Sequence, residues 1–428
     1  MQPKIEILNP NENIAIPSWI NADYFKDILA KDEPDSIGVN NFVPIAAVPP
    51  GENFTSVMLR IHMDLIMMDE SIKHKTYILK TMIDDDKGGE LFNNLALFPK
   101  EMEMYQKYLP AFEGLYKAVG WNIQLAPKCL FAEKNDGRFN FVYEDLKENN
   151  YENIDRLKGC DMVHMKRILH RLAELHAVSA VYEEINGEYP SDFQIGFVDL
   201  DAGADYQKSM FETRKEPYKK AMQQWGLDEV DKYLKEFPSS EQYWKCCLGS
   251  LNQKTNNFNV LNHGDFWSSN IMFNYLPTGD LKELIFLDYQ FCKWGSPAED
   301  LLLFITISAA KDIRIKEFDY FISMYHERLV ECLKVLGFKK PLPKLRDLHK
   351  DMFDQANTFT AFFACFNHLA ILMLPNDKDS SIHNFCRPDE FGEQFRMKAL
   401  TNPCYVEAMK ELYPFYFRRG LFNFSDFE

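Results

Sequence analysis

An octapeptide in the second half of the sequence carries residue types suited to phosphoryl transfer. It reads HGDFWSSN from His263 to Asn270, and a second carboxylate, Asp288, follows Asp265 by 23 residues at the end of an apolar run. Phosphoryl transfer needs a residue that aims the attacking hydroxyl and accepts its proton, together with oxygen ligands for a hard cation. The spacing therefore predicts Asp265 as the catalytic residue and Asn270 and Asp288 as ligands of Mg²⁺.

The same offset of five between Asp and Asn occurs in kinases, where the Asp orients the acceptor hydroxyl and the Asn holds magnesium. A second metal-binding Asp follows further along the chain in those enzymes. The alternative interpretation of the octapeptide is a turn after a strand, capped by Asp and Asn. Because Asn270 and Asp288 both stand at the expected spacing, we favour an ATP-dependent kinase.

Two histidines and one further Asp are predicted to have structural roles. His263 has no second His or Cys at zinc spacing, so we expect its ring to hydrogen-bond the backbone and brace the loop. His176 lies with Leu169 and Leu172 on an apolar helix face and is predicted to be a core histidine. Asp300, at the start of an apolar helix, is expected to cap that helix and brace the octapeptide.

Lys80 lies inside an apolar segment that predicts a strand, where an unpaired ammonium would be costly. We interpret it as the strand lysine that contacts the α- and β-phosphates and pairs with a helix glutamate. Glu101 is the expected partner and Glu103 the alternative, because about 200° separates them on a helix and only one can face inward. Without the other motifs, the alternative interpretation of Lys80, an exposed charge on an edge strand, would be preferred.

The segment before the first strand contains one glycine, Gly51, where a glycine-rich phosphate loop has three. It predicts a turn over the phosphates, made by backbone N–H groups and the Thr55 or Ser56 hydroxyl. An ordinary hairpin turn fits the same residues equally well.

The elements that must position these residues change character along the chain. Before residue 145 the pattern predicts strands, one helix and one charged turn; after it the pattern is mostly helical. The predicted strands are 55–63, 76–83 and 139–143, the turn is 69–75, and the helices are 98–108, 162–182 and 297–309. At 428 residues the chain is too long for one ordinary core.

This pattern predicts an α+β protein with a two-lobed, protein-kinase-like fold. The small β-rich N-terminal lobe, residues 1–145, would bind the nucleotide, and the large helical lobe, residues 146–428, would carry catalysis and substrate binding. The hinge is predicted at about residues 144–150.

Composition narrows the class of protein. The formal net charge of −16 argues against general nucleic-acid binding. The nine cysteines show no C-x-x-C pair and no zinc spacing, which indicates reduced, packed thiols. The first residues lack an apolar signal-peptide region, and the most apolar stretch, 359–374, is short for a membrane span. We therefore expect a cytoplasmic protein without a membrane span, a nucleic-acid partner or an obligate protein partner.

Two departures from the protein-kinase pattern restrict the acceptor. Gly264 stands where protein kinases have the Arg that docks a phosphorylated activation loop. Pro297 follows Asp288 by only nine residues, which leaves no room for such a loop. The pattern therefore favours a small-molecule acceptor over a protein acceptor.

These motifs resemble the ecdysteroid kinase-like family, within the choline/aminoglycoside kinase group of the protein-kinase-like superfamily. The resemblance runs from about residue 40 to beyond residue 380. The matching residues are Gly51-Glu52-Asn53, Phe98 with Glu101 and Tyr105, Glu144-Asp145-Leu146, Leu172 to Ser179, His263 to Asn270, and Asp288-Tyr289-Gln290.

The resemblance implies transfer of the γ-phosphoryl group of ATP, with Mg²⁺, to a hydroxyl of a small molecule, with an ecdysteroid as the leading acceptor. A choline- or aminoglycoside-type kinase, a xenobiotic kinase and a catalytically inactive ligand-binding protein are the alternatives. The nucleotide-binding residues that it implies are Asn53, Ser56, Lys80, Glu101, Glu144 and Leu146.

An aromatic and apolar helix face near the C-terminus is the candidate wall of a steroid-sized pocket. Filling of the helical core is the competing interpretation. The face comprises Phe359, Phe362, Phe363, Phe366, Leu369 and Met373. The acceptor, the hydroxyl attacked and the oligomeric state stay open.

Overall fold

The structure is a computed structural model that describes residues 16–48, 56–82, 96–196, 203–251, 258–374 and 382–427. Contacts within the chain divide it into two compact units. Unit 1 comprises Met1–Asn94, Pro127–Tyr151 and Asn376–Ser381, and unit 2 comprises Leu95–Ala126, Glu152–Pro375 and Ile382–Glu428.

Unit 1 contains a five-stranded antiparallel sheet and one short α-helix. The helix is α1 (Lys26–Asp32), and the strands are β1 (Ser36–Ala46), β2 (Ser56–Met67), β3 (Ile72–Met82), β4 (Cys129–Asn135) and β5 (Arg138–Glu144). Their order in the sheet is β1-β2-β3-β5-β4, so β3 is the central strand. 3-10 turns at Ala22–Phe25 and Leu146–Asn149 precede α1 and follow β5.

Apolar residues at every second position of β2 form the core of unit 1. Leu59, Ile61, Met63 and Leu65 are all fully buried, as the two-residue period of a strand requires when one face is covered. Phe25 belongs to the same core, where its ring stacks on Tyr77 with centroids 5.9 Å apart. The segment before β1 thus covers this face of the sheet.

The predicted strands 55–63 and 76–83 are confirmed by β2 and β3. The predicted turn over 69–75 is confirmed at its start, where the Glu70 N–H donates to the Met67 carbonyl, but it extends too far along the chain. β3 already begins at Ile72. The charges that suggested a turn are matched by the acidic end of α1. Lys73 Nζ lies 2.6 Å from Glu33, and Lys75 Nζ lies 3.2 Å from both Asp32 and Glu33.

Unit 2 is mainly helical. Its α-helices are α2 (Leu97–Glu103), α3 (Leu109–Ala118), α4 (Met162–Asn186), α5 (Gly203–Met222), α6 (Val230–Lys235), α7 (Ser240–Leu251), α8 (Ala298–Ser308), α9 (Lys311–Arg314), α10 (Phe318–Val335), α11 (Leu345–Met352), α12 (Thr358–Phe363), α13 (Leu369–Leu372), α14 (Ile382–Cys386), α15 (Glu390–Leu400) and α16 (Pro403–Phe417). π-helical segments, Met104–Tyr108 and Ala364–His368, connect α2 to α3 and α12 to α13. 3-10 turns lie at Ser191–Gln194, Ser268–Asn270, Tyr289–Phe291, Gln355–Asn357 and Phe424–Phe427.

Short strands within this helical part carry the octapeptide and Asp288. The two-residue strand β6 (Tyr151–Glu152) lies where the chain passes from unit 1 to unit 2. β7 (Val260–Asn262) pairs antiparallel with β10 (Lys293–Gly295), and β8 (Ile271–Tyr275) pairs antiparallel with β9 (Leu281–Phe286). The octapeptide connects β7 to β8, and Asp288 lies just after β9.

The α+β class is confirmed, with an antiparallel sheet in the N-terminal part and helices in the C-terminal part. The two-lobed, protein-kinase-like arrangement stays a prediction, as do the domain limits 1–145 and 146–428. The compact units differ from those limits by including Leu95–Ala126 in unit 2. There α2 packs on the turn after β9, and α3 packs on α4.

The apolar stretch 359–374 forms α12, a π-helical segment and α13, all largely buried. Among the residues that the structure describes, no helix combines the length and apolar character needed to cross a membrane.

Replacing Phe25 with Ala should destabilise unit 1 by about 3–5 kcal/mol, because truncating a buried ring leaves a cavity. The midpoint of urea unfolding, followed by circular dichroism, measures the change. Phe391→Ala is the matched control: that side chain is 41% exposed, and its loss should shift stability by less than about 0.5 kcal/mol. Equal shifts for the two variants would contradict the assignment of Phe25 to the core.

Candidate active site

Asp300, fully buried in the first turn of α8, holds the start of the octapeptide through its backbone. The carboxylate accepts hydrogen bonds from the backbone N–H of His263 at 2.6 Å and of Gly264 at 3.0 Å. The predicted brace is therefore confirmed. The predicted helix cap is wrong, because Asp300 lies inside the first turn of α8 and its carboxylate bonds the loop; the Ala298 N–H donates to the Ser296 hydroxyl instead, at 3.3 Å.

The core histidine predicted at position 176 completes this arrangement. Burial lowers the pKa of His176, although hydrogen bonding to Asp300 opposes the shift, so the ring is neutral. Its Nε2 lies 3.1 Å from Asp300 Oδ2 and donates to it, while the Tyr325 hydroxyl donates to its Nδ1 at 2.7 Å. Helices α4, α8 and α10 are joined in this way to the octapeptide. His263 behaves as predicted, since its Nε2 donates to the Leu287 carbonyl at 2.8 Å.

Glycine is the only residue type that fits at position 264 of the octapeptide. Its φ of +82° lies in the left-handed region, and a Cβ built there would lie 2.1 Å from the Phe291 carbonyl oxygen. The loop after β9 therefore packs directly against the backbone of Gly264. The Arg that protein kinases have at this position could not be accommodated here.

Asp265 follows, with both carboxylate oxygens in contact with polar groups. Oδ2 lies 3.0 Å from Asn270 Nδ2 and 3.4 Å from Trp267 Nε1, and Oδ1 lies 3.3 Å from His368 Nε2. Burial alone would raise the pKa of the Asp265 carboxyl, but His368, with His263 and Asn270, brings this pKa below its usual range. The carboxylate is thus held in its anionic form.

Asn270 and Asp288 come to neighbouring positions through the β8–β9 pairing. The Leu287 N–H donates to the Asn270 carbonyl at 2.8 Å, directly beside the first residue pair of the two strands. Asp288 has φ +66° and ψ +63°, a left-handed conformation that costs about 1–3 kcal/mol outside glycine and clusters at functional sites. Its Oδ2 accepts a hydrogen bond from Gln290 Nε2 at 3.1 Å.

These two residues fit the donor set that Mg²⁺ prefers. The side-chain nitrogen of Asn270 donates to Asp265, so the side-chain oxygen of Asn270 is the atom that could bind a cation. With the Asp288 carboxylate this gives hard oxygen ligands from two residues, and Mg²⁺ usually takes one or two carboxylates plus water and phosphate oxygens. Within the described ranges, no group of three or more His, Cys, Asp or Glu residues is arranged to hold a metal ion.

Lys80 and Ser56 lie in unit 1. Lys80 is 3% exposed in the central strand β3, opposite Met58 on one neighbour and Phe141 on the other. The interpretation of Lys80 as an exposed edge-strand charge is therefore wrong. Ser56 begins β2 and is buried. The predicted phosphate-loop residue Asn53 lies outside the described residues.

The predicted hinge residues Glu144 and Leu146 end β5 and begin the 3-10 turn that follows it. Glu144 Oε1 accepts a hydrogen bond from the Lys128 backbone N–H at 2.7 Å, and Leu146 is buried. Asp145, between them, forms an ion pair with Arg60 at 2.6 Å. The side chains of Glu144 and Asp145 thus connect the end of β5 to the residue before β4 and to β2.

Glu101 lies on α2 in unit 2 and is 1% exposed, whereas Glu103 is only half-buried. Of the two candidates, Glu101 is thus the one that faces inward. Its ion pair with Lys80 stays a prediction, because the two residues belong to different units. Beside it, Lys100 is also buried and donates to the Gly196 carbonyl at 3.0 Å; burial lowers its pKa to about 8.

Sequence reasoning missed His368, the residue that contacts Asp265 Oδ1. It ends the π-helical segment Ala364–His368, and its side chain is 17% exposed. The available signal was a pair of polar residues, Asn367 and His368, inside the most apolar stretch of the chain. That signal predicts a polar position in a buried helix, but it does not predict that His368 contacts Asp265.

The aromatic face that was a candidate pocket wall mostly fills the core. Phe359, Phe362, Phe366, Leu369 and Met373 are at most 5% exposed. Phe362 and Phe366 pack against aromatic rings of α5, among them Tyr218. Phe363 alone of this face is half-buried, with its ring 4.6 Å from that of His368.

Replacing Gly264 with Ala should destabilise unit 2 well beyond the cost of its backbone conformation. Gly279→Ala is the matched control: its φ is +86°, and nothing lies within 4 Å of its added Cβ. The control should cost about 1 kcal/mol for left-handed backbone strain. Gly264→Ala adds a collision with the Phe291 carbonyl, so its urea midpoint should fall clearly further. Indistinguishable midpoints would show that the two loops are not in close contact.

Comparison with known proteins identifies the family. No curated protein matches the chain significantly. A crystal structure of a candidate fructosamine-3-kinase from Haemophilus somnus 129PT is similar at 11% identity and a TM-score of 0.35, covering 78% of this chain and 95% of that one. The sequence profile of the ecdysteroid kinase-like family matches residues 50–338, more than half of the chain. The chain therefore belongs to the ecdysteroid kinase-like family.

Proposed function

We propose that the protein transfers the γ-phosphoryl group of ATP to a hydroxyl of a small molecule. The observation that carries the proposal is the assembly of Asp265, Asn270 and Asp288 by the β7–β8 and β9–β10 loops. Membership of the ecdysteroid kinase-like family supports a small-molecule kinase. Phosphoryl transfer requires positioning and charge neutralisation more than covalent chemistry, and this set of residues offers both.

Asp265 is the catalytic residue in this proposal. Its carboxylate is anionic and 17% exposed, so it can accept a hydrogen bond from an incoming hydroxyl. As the hydroxyl oxygen attacks the γ-phosphorus, Asp265 takes up the hydroxyl proton. Asn270 and Trp267 contact one of its two carboxylate oxygens, Oδ2.

Asn270 and Asp288 would hold Mg²⁺ through their side-chain oxygens. A bound Mg²⁺ neutralises charge that develops on the phosphate oxygens. The left-handed backbone of Asp288 and the bond from Gln290 fix the direction of its carboxylate before any cation arrives.

The nucleotide is proposed to bind through Lys80, Ser56, Asn53, Glu144 and Leu146, with Glu101 as the partner of Lys80. Burial of the Lys80 ammonium in a central strand supports this role, because such a charge needs anionic partners. Burial of Glu101 supports its choice over Glu103.

An ecdysteroid or related steroid alcohol is the acceptor that we propose first, on the strength of the family. Choline-, aminoglycoside- and xenobiotic-type acceptors share the same chemistry and are the other members of the test panel. The described aromatic residues do not favour a steroid, since most of them fill the core. A catalytically inactive ligand-binding protein would not require the left-handed backbone of Asp288 or the anionic carboxylate of Asp265.

Incubation with ATP, Mg²⁺ and a mixed panel of alcohols should give a product one phosphoryl group heavier, detected by mass spectrometry. Asp265→Asn should lower kcat by about 10²- to 10⁴-fold, because the amide accepts no proton. Asp319→Asn, at a side chain 78% exposed, is the matched control and should leave turnover unchanged. Failure of the wild-type protein to phosphorylate any alcohol while binding MgATP would overturn the proposal.

Asp288→Asn should raise the Mg²⁺ concentration needed for half-maximal turnover by about tenfold or more, because a charged ligand is replaced by a neutral one. A Mg²⁺ titration at fixed ATP measures the shift. Asp280→Asn, in the β8–β9 turn, is the control and should titrate like the wild type. An unchanged Mg²⁺ requirement in Asp288→Asn would remove this residue from the cation site.

A further inference from the structure

The contacts of the Asp265 carboxylate differ between its two oxygens. Oδ2 faces two donors, Asn270 Nδ2 at 3.0 Å and Trp267 Nε1 at 3.4 Å. Oδ1 faces one, His368 Nε2 at 3.3 Å. Each carboxylate oxygen has two lone-pair directions. Counting donors from the described residues, both lone pairs of Oδ2 are used and one lone pair of Oδ1, beside His368, is left to accept a further hydrogen bond.

Of the two ring nitrogens of His368, Nε2 contacts a polar group of the described residues, the Asp265 carboxylate, and Nδ1 does not. Its Nδ1 is buried and has no hydrogen-bond partner among the described residues. The Phe363 ring packs edge-on against the imidazole, with centroids 4.6 Å apart and planes at 75°. The ring therefore has one polar contact, with Asp265, and one apolar contact that limits its rotation.

The backbone that carries His368 is anchored from α5. The side-chain oxygen of the preceding residue, Asn367, accepts hydrogen bonds from Arg214 Nη1 at 2.7 Å and from the Tyr218 hydroxyl at 3.0 Å. All three side chains are buried. The π-helical segment is thereby fixed, and with it the direction from which His368 approaches Asp265. Single π-turns in helices occur frequently at functional sites.

We propose that His368 is a positioning residue for phosphoryl transfer: it fixes the Asp265 carboxylate so that Oδ1 receives the acceptor hydroxyl. This inference rests on the proposed kinase function. The acceptor oxygen forms its bond to the γ-phosphorus, the bond from the γ-phosphorus to the bridging oxygen of ADP breaks, and the hydroxyl proton passes to Oδ1. The acceptor hydroxyl therefore lies on the His368 side of the carboxylate, away from Trp267 and Asn270.

The distance of 3.3 Å is slightly longer than an ordinary N–H···O hydrogen bond. Catalytic hydrogen bonds are often long without substrate and shorten in the reacting complex. Loss of the His368 donor would let the carboxylate rotate about its bond to Cβ, and misplacing a reacting group by about 1 Å costs about 100-fold in rate. His368 is not among the residues proposed to bind the nucleotide, so its loss should leave MgATP binding unchanged.

Three substitutions at this position separate positioning from folding. His368→Ala should lower kcat by about 10- to 100-fold and leave KM for ATP unchanged. His368→Gln should recover most of the loss, because its amide nitrogen can occupy the place of Nε2. His368→Asn, whose nitrogen falls near Nδ1 instead, should not. His349→Ala, at a histidine whose Nδ1 lies 3.9 Å from Asp319 Oδ1, is the control and should match the wild type.

The measurements are kcat and KM for ATP and for the panel alcohol, with the thermal midpoint of each variant. Should His368→Ala fail to fold, the comparison of Gln with Asn carries the test. Wild-type kcat in His368→Ala, equal rates for Gln and Asn, or a parallel loss of ATP affinity would overturn the inference while leaving the kinase proposal intact. Absence of transfer by the wild type would instead overturn the proposed function, and this inference with it.

Discussion

The buried carboxylate of Asp300 is the constraint on which the candidate site depends. A charge removed from water costs several kcal/mol unless hydrogen bonds replace its hydration. Here two successive backbone N–H groups and the neutral ring of His176 supply them. Because those N–H groups belong to His263 and Gly264, the packing of α4, α8 and α10 determines where the next residue, Asp265, must lie. The octapeptide, a largely buried loop, is in this way given the positional accuracy of a helical core.

The proposed cation ligands, Asn270 and Asp288, depend on a different element, the antiparallel β8–β9 pair. Asn270 precedes one strand and Asp288 follows the other, so strand pairing alone brings them together. The octapeptide and the loop after β9 are in contact where the Phe291 carbonyl packs against Gly264. A side chain at that glycine would separate them. The chemistry of the site therefore rests on backbone contacts that side-chain motifs do not reveal directly.

Much of this organisation could be predicted from local sequence. Alternating apolar residues marked β2 and β3, and motif spacing selected Asp265, Asn270 and Asp288 as a group that the structure does bring together. The turn predicted at 69–75 was too long, because Lys73 and Lys75 lie in β3 and are neutralised by the end of α1, far outside any local window. His368 was missed because 103 residues separate it from Asp265. Its contact depends on tertiary packing, which no periodicity encodes.

The π-helical segment Ala364–His368 gives the site an unusual sensitivity to length. A π-turn holds one residue more than an α-helical turn, and each residue turns a helix by about 100°. Deleting a single residue between Phe363 and His368 would restore a regular helix and redirect the imidazole, although every remaining residue of the segment would be unchanged. Among relatives, a one-residue gap at this point would therefore separate proteins able to place a histidine beside the carboxylate that corresponds to Asp265 from proteins that cannot. The number of residues between the positions of Phe363 and His368 would be as informative about this contact as the identity of the residues.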